Sequence, residues 1–307
     1  MNQCPFFGKC GGCKYDFASA NYRTEKLSEL RGVQPTGEPF WTPVGVRRRA
    51  DFCFGNGQFG FYESRSKNIV SVNHCPNLVN EINDILPRVA ALPWVGAGAC
   101  LITACDNGID IAITSDVSFF STEFKQAAMK LPAIRITWND QVIKCDATPI
   151  IKFAGVSCEY PSGGFLQPTV PSESALRDMV VSAANGARRV ADLFCGLGNF
   201  TFALNADGFD ISGIGCNRDL FKKPLTVGML NGYDCVVMDP PRAGAMAQCQ
   251  ELIKSNVSRI IYVSCNPATF RRDAQILTRG GYCMKKLVPV DQFVGSNHWE
   301  IFSVFEK

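Results

Sequence analysis

Short apolar runs alternate with helical segments in the second half of the chain. Three of these runs occupy residues 189–194, 235–239 and 260–265. Apolar strands that alternate with helices are typical of a largely parallel sheet with helices on both faces. Ligands bind at the carboxyl ends of the strands in such sheets. We therefore expect the functional site in the loops that follow these three runs.

The first half has a different pattern, with strand-like alternation between Gly and Asn turns. It predicts a mixed α+β arrangement without repeats. The predicted elements are a polar helix at residues 19–31, strands within residues 42–72, a helix at residues 78–92, and further strands at residues 101–115 and 133–138.

The length of 307 residues is enough for two domains of ordinary size. We expect a cysteine-loop and central α+β domain at residues 1–165, and a doubly wound α/β domain at residues 166–307. Hydrophobic residues make up 46% and charged residues 19%, which is typical of a soluble globular protein. The chain contains no run of eighteen apolar residues, and it begins Met-Asn-Gln-Cys-Pro without a signal-peptide pattern. A cytoplasmic location is the resulting prediction.

The net charge of +3 is too small to indicate a nucleic-acid partner by itself. The charge is uneven, because residues 1–49 contain eight Lys and Arg side chains against four acidic ones. A basic face of this kind would suit phosphate groups. A solvated surface explains the same charges equally well.

The chain has fifteen cysteines, an odd number, and no pattern of a secretion signal. Both observations disfavour a disulfide framework. Cys4, Cys10 and Cys13 have C-x5-C-x2-C spacing on a Gly-rich loop. Such a loop can wrap a soft metal centre, and a distant cysteine often completes an iron–sulfur site. Cys75, which precedes a proline, is the candidate. An iron–sulfur cluster is the favoured occupant, with zinc and unliganded thiols as alternatives.

Two of the three strand ends continue into loops that suit a cofactor and a planar base. Asp192 precedes a turn that contains Gly196 and Gly198 and then leads into a helix, whose free N–H groups can face a ligand. The turn lacks G-x-G-x-x-G, which disfavours a standard dinucleotide site. Asp192 itself suits an ammonium group of the methionine type. Asp239 is followed by two prolines that stiffen its loop, and it suits hydrogen bonding to a base edge.

The third strand end carries Cys265, and Pro267 is well placed for the first turn of the next helix. A thiol at a helix N-terminus has a lowered pKa and is a better nucleophile. Arg271 and Arg272 follow on the same predicted helix. Near the C-terminus, Glu300 begins an otherwise apolar strand, so its carboxylate is either paired or functional.

Four segments of the chain resemble the S-adenosylmethionine-dependent RNA uracil-5-methyltransferases. The resemblance covers most of the sequence. It is strongest in Asp-Pro-Pro-Arg-Ala-Gly from Asp239, Ser-Cys-Asn-Pro-Ala-Thr around Cys265, and His-Trp-Glu ending at Glu300. The resemblance implies a Rossmann-like methyltransferase domain preceded by an α+β domain with an N-terminal iron–sulfur loop.

The resemblance also implies a mechanism. Cys265 would add to C6 of uracil, Asp239 would hold the uracil edge and stabilise the enolate, and Glu300 would remove the C5 proton. The target base must leave its stack to reach the thiol. The implied contacts with S-adenosylmethionine are Gln167, Asp192, Phe194, Gly196, Asn199, Asp219 and Asp239. Cys4, Cys10, Cys13 and Cys75 resemble the [4Fe-4S] ligands of the ribosomal-RNA members, which makes 23S rRNA the expected partner.

The chain departs from the family between residues 209 and 233. These 25 residues are too few for a strand–helix–strand unit, which needs about 30. Residues 211–215 look like the second strand, and the sequence predicts neither the next helix nor the acidic residue that binds the cofactor ribose in the family. This deletion motivates a second interpretation, a non-catalytic RNA-binding relative that has lost cofactor binding. A third is methylation of another acceptor, which needs no covalent thiolate and is disfavoured by Cys265 with Glu300.

Overall fold

The computed structural model describes residues 4–30 and 32–307. Four residues lie outside the described part of the chain. They are Met1, Asn2 and Gln3, at the start of the segment without a signal-peptide pattern, and Arg31, the predicted end of the first helix. Within the described part of the chain, no helix has both the length and the apolar character required to cross a membrane.

Ten strands lie within residues 4–30 and 32–160. They are β1 (Phe40–Trp41), β2 (Arg49–Gly55), β3 (Gln58–Tyr62), β4 (Ile69–Ser71), β5 (Gly98–Cys105), β6 (Gly108–Ser115), β7 (Ala133–Trp138), β8 (Gln141–Cys145), β9 (Ile150–Phe153) and β10 (Val156–Glu159). The later strands are β11 (Val190–Leu193), β12 (Asp207–Asp210), β13 (Cys216–Asn217), β14 (Cys235–Met238), β15 (Arg259–Ser264), β16 (Cys283–Asp291) and β17 (Glu300–Glu306).

The helices vary from four to fifteen residues. They are α1 (Tyr22–Leu27), α2 (Asn80–Ala90), α3 (Thr122–Ala128), α4 (Val170–Ala184), α5 (Asn199–Leu204), α6 (Val227–Leu230), α7 (Met246–Leu252) and α8 (Pro267–Arg279). A 3-10 turn, Ser28–Leu30, follows α1.

A seven-stranded sheet is built in the order β4-β3-β2-β5-β6-β7-β8. Its pairs are antiparallel except β6 with β7. In β2 the side chains of Ala50, Phe52 and Phe54 are buried, whereas Asp51 between Ala50 and Phe52 is exposed. This period of two places the aromatic side chains on the face that shares a core with α2 and α3.

The second sheet has eight strands in the order β1-β16-β17-β15-β14-β11-β12-β13. Strands β11 to β15 pair in parallel, and β17 lies antiparallel between β15 and β16. All four residues of β14 are buried. Val236 packs into the core on one face of the sheet and Val237 into the core on the other. Burial on both faces explains the unbroken apolar runs in the sequence.

Most predicted elements of the first half are present with different ends. The predicted helix at 19–31 is shortened to α1 and the 3-10 turn, and the one at 78–92 is α2. The predicted strand at 133–138 coincides with β7. The proposed domain boundary at residue 165 stays a prediction. Strand β1 precedes it and yet pairs in parallel with β16 of the second sheet.

The second strand of the parallel sheet was placed wrongly by the sequence. It is β12, and residues 211–215 form the turn between β12 and β13. These five residues, all of which the structure describes, contain no helix, whereas parallel strands usually need a dozen or more connecting residues. Glycine makes the tight turn possible. Gly215 has a φ of 86°, and a Cβ at Gly215 would overlap the carbonyl group of Gly208.

Candidate active site

Three candidate catalytic residues meet at one edge of the second sheet. Asp239 follows β14 and Cys265 follows β15, and these strands are parallel neighbours. Glu300 begins β17, which is antiparallel to β15 with Ile301 opposite Ser264. The start of β17 therefore lies beside the carboxyl end of β15, which brings Glu300 to the same edge as Cys265.

Two glutamine amides connect the carboxyl groups at this edge. Glu300 is 2% exposed, and its Oε2 accepts a hydrogen bond of 2.6 Å from Gln292 Nε2. Gln292 Nε2 also donates to Gln167 Oε1 at 2.8 Å, and Gln167 Nε2 donates to Asp239 Oδ2 at 3.2 Å. The other oxygen of Glu300, Oε1, is buried without a partner in the protein.

Both carboxyl groups hold a proton more tightly than an ordinary carboxyl group. Burial raises the pKa of Glu300, and the charge of Asp239 raises it further. Burial likewise raises the pKa of Asp239, with an added contribution from the charge of Asp192. A low-dielectric site disfavours two adjacent negative charges. The pair can therefore exchange protons closer to neutral pH than free carboxyl groups do.

The expected activation of Cys265 by the helix dipole is wrong for the unliganded protein. Burial raises the pKa of the thiol to about 12, and the charges of Glu300 and Asp239 add to this effect. Arg242 opposes the rise. The first turn of α8 is capped by the Asn266 side chain, which accepts a hydrogen bond of 3.0 Å from Ala268 N.

Arg272 was one of the two arginines expected to assist the thiol. Its guanidinium donates instead to Asp273 and to the carbonyl group of Ala243. The positive charge that does act on Cys265 comes from Arg242, a residue of the Asp-Pro-Pro-Arg loop.

The Gly-rich turn after β11 carries most of the candidate cofactor residues. Asp192 is fully buried, and burial raises its pKa to about 7. Its Oδ2 accepts a hydrogen bond of 2.6 Å from Thr201 Oγ1, whereas Oδ1 has no partner. Asn199 Oδ1 accepts from Arg177 at 3.0 Å, and Asn199 Nδ2 is also buried without a partner. Two unpaired polar atoms of opposite kind therefore lie beside this turn.

The sides of the turn are formed by Phe194 and by the segment after β13. Phe194 has a φ of 61°, and its ring centroid lies 5.4 Å from that of Phe221. Asp219 caps that segment by accepting from Phe221 N at 3.1 Å and from Lys222 N at 3.2 Å. Gly196 has a φ of 52° and donates its N–H to Asp210.

Asp210 was missed by sequence reasoning, which found no acidic residue after the second strand. It is the last residue of β12, and it was overlooked because that strand was placed at residues 211–215. Its Oδ2 accepts from Gly196 N at 2.9 Å and its Oδ1 from Ser212 N at 3.1 Å. Both oxygens therefore hold the Gly-rich turn and the short connection together.

The four N-terminal cysteine candidates converge in space. The charge of Cys4 raises the pKa of Cys10, Cys13 and Cys75, although burial is the larger cause in each case. Burial and the other three thiols raise the pKa of Cys13 to about 12. Within residues 4–30 and 32–307, no group of three or more His, Cys, Asp or Glu side chains could hold a single metal ion as positioned.

The cysteine segments contact the loop that leads to Glu300. Lys14 N and Tyr15 N donate to Gly295 O at 2.7 and 2.8 Å. Asn77 Nδ2 donates to Val294 O at 3.2 Å. The segments that carry Cys13 and Cys75 therefore both hold the loop at residues 292–299.

An exposed aromatic ring and two arginines lie on or near the first sheet. Phe165 is 68% exposed two residues before Gln167, and the Arg49 guanidinium lies 5.9 Å from the centroid of its ring. A groove of about 820 Å³ runs along the open face of the first sheet and contains Tyr62 and Arg65. An unstacked base and a phosphate chain could both be accommodated by these groups.

Comparisons with known proteins identify the relatives of this chain. A family model described as tRNA (Uracil-5-)-methyltransferase matches residues 221–307. An uncharacterised RNA methyltransferase of Agrobacterium fabrum is 33% identical over 347 aligned positions, which cover 98% of this chain and 83% of that protein. One from Caulobacter vibrioides is 34% identical and covers 99% and 85%, respectively.

This chain belongs to the S-adenosylmethionine-dependent RNA (uracil-5-)-methyltransferase family. The 23S rRNA (uracil(1939)-C(5))-methyltransferase RlmD of Salmonella typhimurium is 27% identical to this methyltransferase. The alignment covers 99% of the present chain and 81% of RlmD. The tRNA (uracil-54, C5)-methyltransferase of Pyrococcus abyssi, solved with S-adenosyl-L-homocysteine, has a TM-score of 0.74 and 18% identity, covering 93% and 83% of the two chains. At that identity the likeness establishes the shared α/β methyltransferase fold.

The relatives also bear on the short connection. The alignment with the Agrobacterium protein has 347 positions, 40 more than the 307 residues of this methyltransferase. At least 40 positions of that alignment therefore have no counterpart here. The five-residue link between β12 and β13 is one place where this methyltransferase is shorter than a usual parallel crossover.

Proposed function

We propose that this methyltransferase modifies C5 of a uridine in 23S rRNA through a covalent bond between Cys265 Sγ and C6 of the base. The observation that carries this proposal is the meeting of Cys265, Asp239 and Glu300 at one sheet edge, with burial raising the pKa of both carboxyl groups. A methyltransferase that acts on amines or hydroxyl groups has no use for a thiol beside two such carboxyl groups.

Each residue has a distinct task in this reaction. Uracil C5 is a poor nucleophile until the Cys265 thiolate adds to C6 and forms an enolate. Asp239 binds the uracil edge and stabilises the negative charge that develops there. S-adenosylmethionine, when bound, supplies an electrophilic methyl group to C5. Glu300 then accepts the C5 proton, the C6–S bond breaks, and the thiolate is released.

The raised pKa of Glu300 suits the last step. A carboxylate with an ordinary pKa is a weak base at neutral pH, whereas a buried one accepts a proton more readily. The raised pKa of Cys265 has related causes. Burial disfavours the thiolate, the charges of Glu300 and Asp239 also oppose it, and Arg242 is the nearby charge that favours it.

The turn after β11 has the groups required at the methionine end of the cofactor. The unpaired Asp192 Oδ1 suits the ammonium group, because a buried carboxylate oxygen needs a donor. Gly196 allows a close backbone approach at its φ of 52°. Phe194, Asn199 and Asp219 are assigned to the same site by their family positions.

The choice of 23S rRNA is supported by the relative that acts on uridine 1939 of that RNA. The surface around Phe165 suits a single-stranded target, since this side chain offers an exposed ring on which a base can stack. Arg49 beside that ring provides a positive charge for the flanking phosphate.

We also propose that Cys4, Cys10, Cys13 and Cys75 hold a [4Fe-4S] cluster. The four thiols influence one another electrostatically, yet they do not form a group that could hold a single ion. A cubane holds its thiolates further apart than one metal ion does, because each thiolate binds a different iron atom. Four cysteine thiolates are the donor set of such a cluster, and they are also that of a structural zinc site, which the metal analysis below distinguishes.

The cluster proposal is tested by anaerobic purification and metal analysis. We expect a brown protein with about four iron atoms per chain. Cys13→Ser should lose the colour and most of the iron, whereas Cys145→Ser, at an exposed cysteine, should keep both. A colourless protein with one zinc atom would contradict the cluster and favour the zinc alternative.

The catalytic proposal is tested with 23S rRNA transcripts and radiolabelled S-adenosylmethionine. Cys265→Ala should abolish methyl transfer and any covalent complex, and Cys283→Ser, at an exposed cysteine of β16, should leave both intact. Glu300→Gln should accumulate a covalent protein–RNA complex on denaturing gels, because the C5 proton is not removed. Methyl transfer by Cys265→Ala would rule out the covalent route.

A further inference from the structure

Gln292 lies between the two ends of the active site, and sequence reasoning assigned it no role. It is 1% exposed and follows the last residue of β16. Its Nε2 donates to Glu300 Oε2 at 2.6 Å and to Gln167 Oε1 at 2.8 Å. Its Oε1 accepts from Ser172 Oγ at 3.3 Å. Every polar atom of the amide is therefore engaged.

These partners determine which way the amide points. The carboxylate of Glu300 accepts hydrogen bonds only, so the nitrogen of Gln292 must face it. The Ser172 hydroxyl, whose hydrogen lies within reach of both the Thr169 carbonyl and the amide oxygen of Gln292, favours the same orientation. Ser172 lies in the first turn of α4, so the helix fixes the amide from outside the catalytic loops.

The same amide also orients Gln167. Because Gln167 Oε1 accepts from Gln292, its Nε2 is directed to Asp239 Oδ2 at 3.2 Å. The backbone carbonyl of Gln167 accepts from Arg48 Nε at 3.2 Å, which holds the residue from the first sheet. Two amides in series thus connect the proposed base with the carboxylate that is proposed to bind uracil.

We propose that Gln292 is a positioning residue that stabilises the carboxylate form of Glu300, aims it at the base site, and turns the Gln167 amide toward Asp239. This inference rests on the proposed function, in which Glu300 removes the C5 proton. Gln292 touches neither RNA nor cofactor in this role. It acts through the two residues that it orients.

The physical reason is that Glu300 has few hydrogen-bond donors around it. Gln292 Nε2 is its one hydrogen-bond donor among the contacts of the described residues, because Oε1 has no partner. A buried carboxylate that loses its donor takes up a proton more readily. The base would then be neutral at a pH at which it must accept a proton.

The charges on the elements that pack around Glu300 do not replace this donor. Those on the neighbouring strands and on α4 are either negative or already paired. They are Asp239 after β14, the Cys265 thiol after β15, Asp291 of β16 paired with Lys26, and Glu173 of α4 paired with Arg48. Arg242, which also follows β14, is the exception because it is positive and acts on Cys265, and His298 lies nearby. Among the contacts of the described residues, neither donates a hydrogen bond to Glu300.

The test is a single-turnover reaction of Gln292→Met with the 23S rRNA transcript over a range of pH. We expect methyl transfer to proceed while the covalent complex accumulates near neutral pH. Its resolution should need a pH higher by about one to two units, which corresponds to a ten- to hundredfold slower resolution at a fixed pH. Ser172→Ala should shift the profile in the same direction by a smaller amount.

Gln248→Met is the matched control. Gln248 is also 1% exposed and bonds Leu225 through both ends of its amide, but it lies on α7, away from Glu300. It reproduces the loss of a buried amide without touching the base. If Gln292→Met and Gln248→Met slow the resolution of the complex equally at every pH, the positioning role is overturned and a structural role is indicated.

Glu300→Gln separates the two proposals. If Glu300→Gln traps the complex at every pH and Gln292→Met resolves it with the wild-type profile, the role of Gln292 is refuted and the proposed function stands. If Glu300→Gln traps no complex, the base assignment fails and the inference on Gln292 fails with it. Trapping by Glu300→Gln at every pH together with pH-dependent trapping by Gln292→Met supports both.

Discussion

Replacing Asp192 with asparagine should remove a strong pH dependence from the stability of the protein. Asp192 is fully buried, and burial raises its pKa from 3.8 to about 7. The folded state therefore binds this proton more tightly than the unfolded state does. The stabilisation is complete below the unfolded pKa and is lost as the pH rises through the folded one. A shift of this size corresponds to about 4 kcal/mol at full ionisation.

Urea denaturation of the two proteins at about pH 5 and about pH 8 measures the effect. Part of the wild-type stabilisation is already lost at pH 5. The difference in free energy of unfolding should therefore move by about 2–3 kcal/mol in favour of Asp192→Asn between these conditions. Asp178→Asn, at an exposed position of α4, should show no such movement.

Bound cofactor should increase the stability of the wild-type protein most at the higher pH, which is opposite to the effect of burial alone. An ammonium group against Asp192 Oδ1 favours the ionised carboxylate, so saturating S-adenosylmethionine should stabilise the wild-type protein more at pH 8 than at pH 5. Asp192→Asn should lack this pH-dependent gain. If the stability difference between the two proteins does not change with pH, the carboxyl group titrates normally and the burial argument is wrong.

Two further predictions concern the short connection and the junction of the two sheets. Calorimetry should detect S-adenosylmethionine binding at micromolar concentration, because Asp192 and the Gly-rich turn after β11 are retained despite the short connection at residues 211–215. No detectable heat would favour the interpretation as a non-catalytic RNA-binding relative. Arg48→Met should lower the stability by about 3–5 kcal/mol in chemical denaturation, because the buried Glu173 loses its 2.5 Å partner. Arg188→Met, at a 91% exposed ion pair, should change it by less than about 1 kcal/mol, and equal losses would contradict the burial argument.

The sequence predicted the second sheet well where the strands are buried on both faces. β14 and β15 are unbroken apolar runs, and the rule that ligands bind at the strand ends located Asp239 and Cys265 correctly in the fold. β12 escaped prediction because it has four residues with aspartate at both ends. The apolar and glycine pattern of residues 211–215 looked more like a strand than the real one.

The electrostatics of the site could not be predicted from sequence. The helix after Cys265 is present, but the thiol is half-buried near two carboxyl groups from other segments, and its burial and their charges raise its pKa. Gln292 gave no signal either, since a single glutamine in a polar loop is unremarkable. Its role depends on partners 120 and 125 residues away in Ser172 and Gln167.

The loop at residues 292–299 contacts the cysteine segments and leads directly to the proposed base. Gly295 has a φ of 80°, and a Cβ there would lie 2.8 Å from Cys13 Sγ, so both its conformation and its contact require glycine. Its N–H donates to Tyr22 Oη at 3.0 Å, while its carbonyl accepts from the backbone after Cys13. The loop is thus held at its middle by the cysteine segment and α1, and at its ends by Gln292 and by Glu300 in β17. Because Gly295 contacts Cys13 and precedes Glu300 by five residues, the cysteine segment and the proposed base are connected through this one loop.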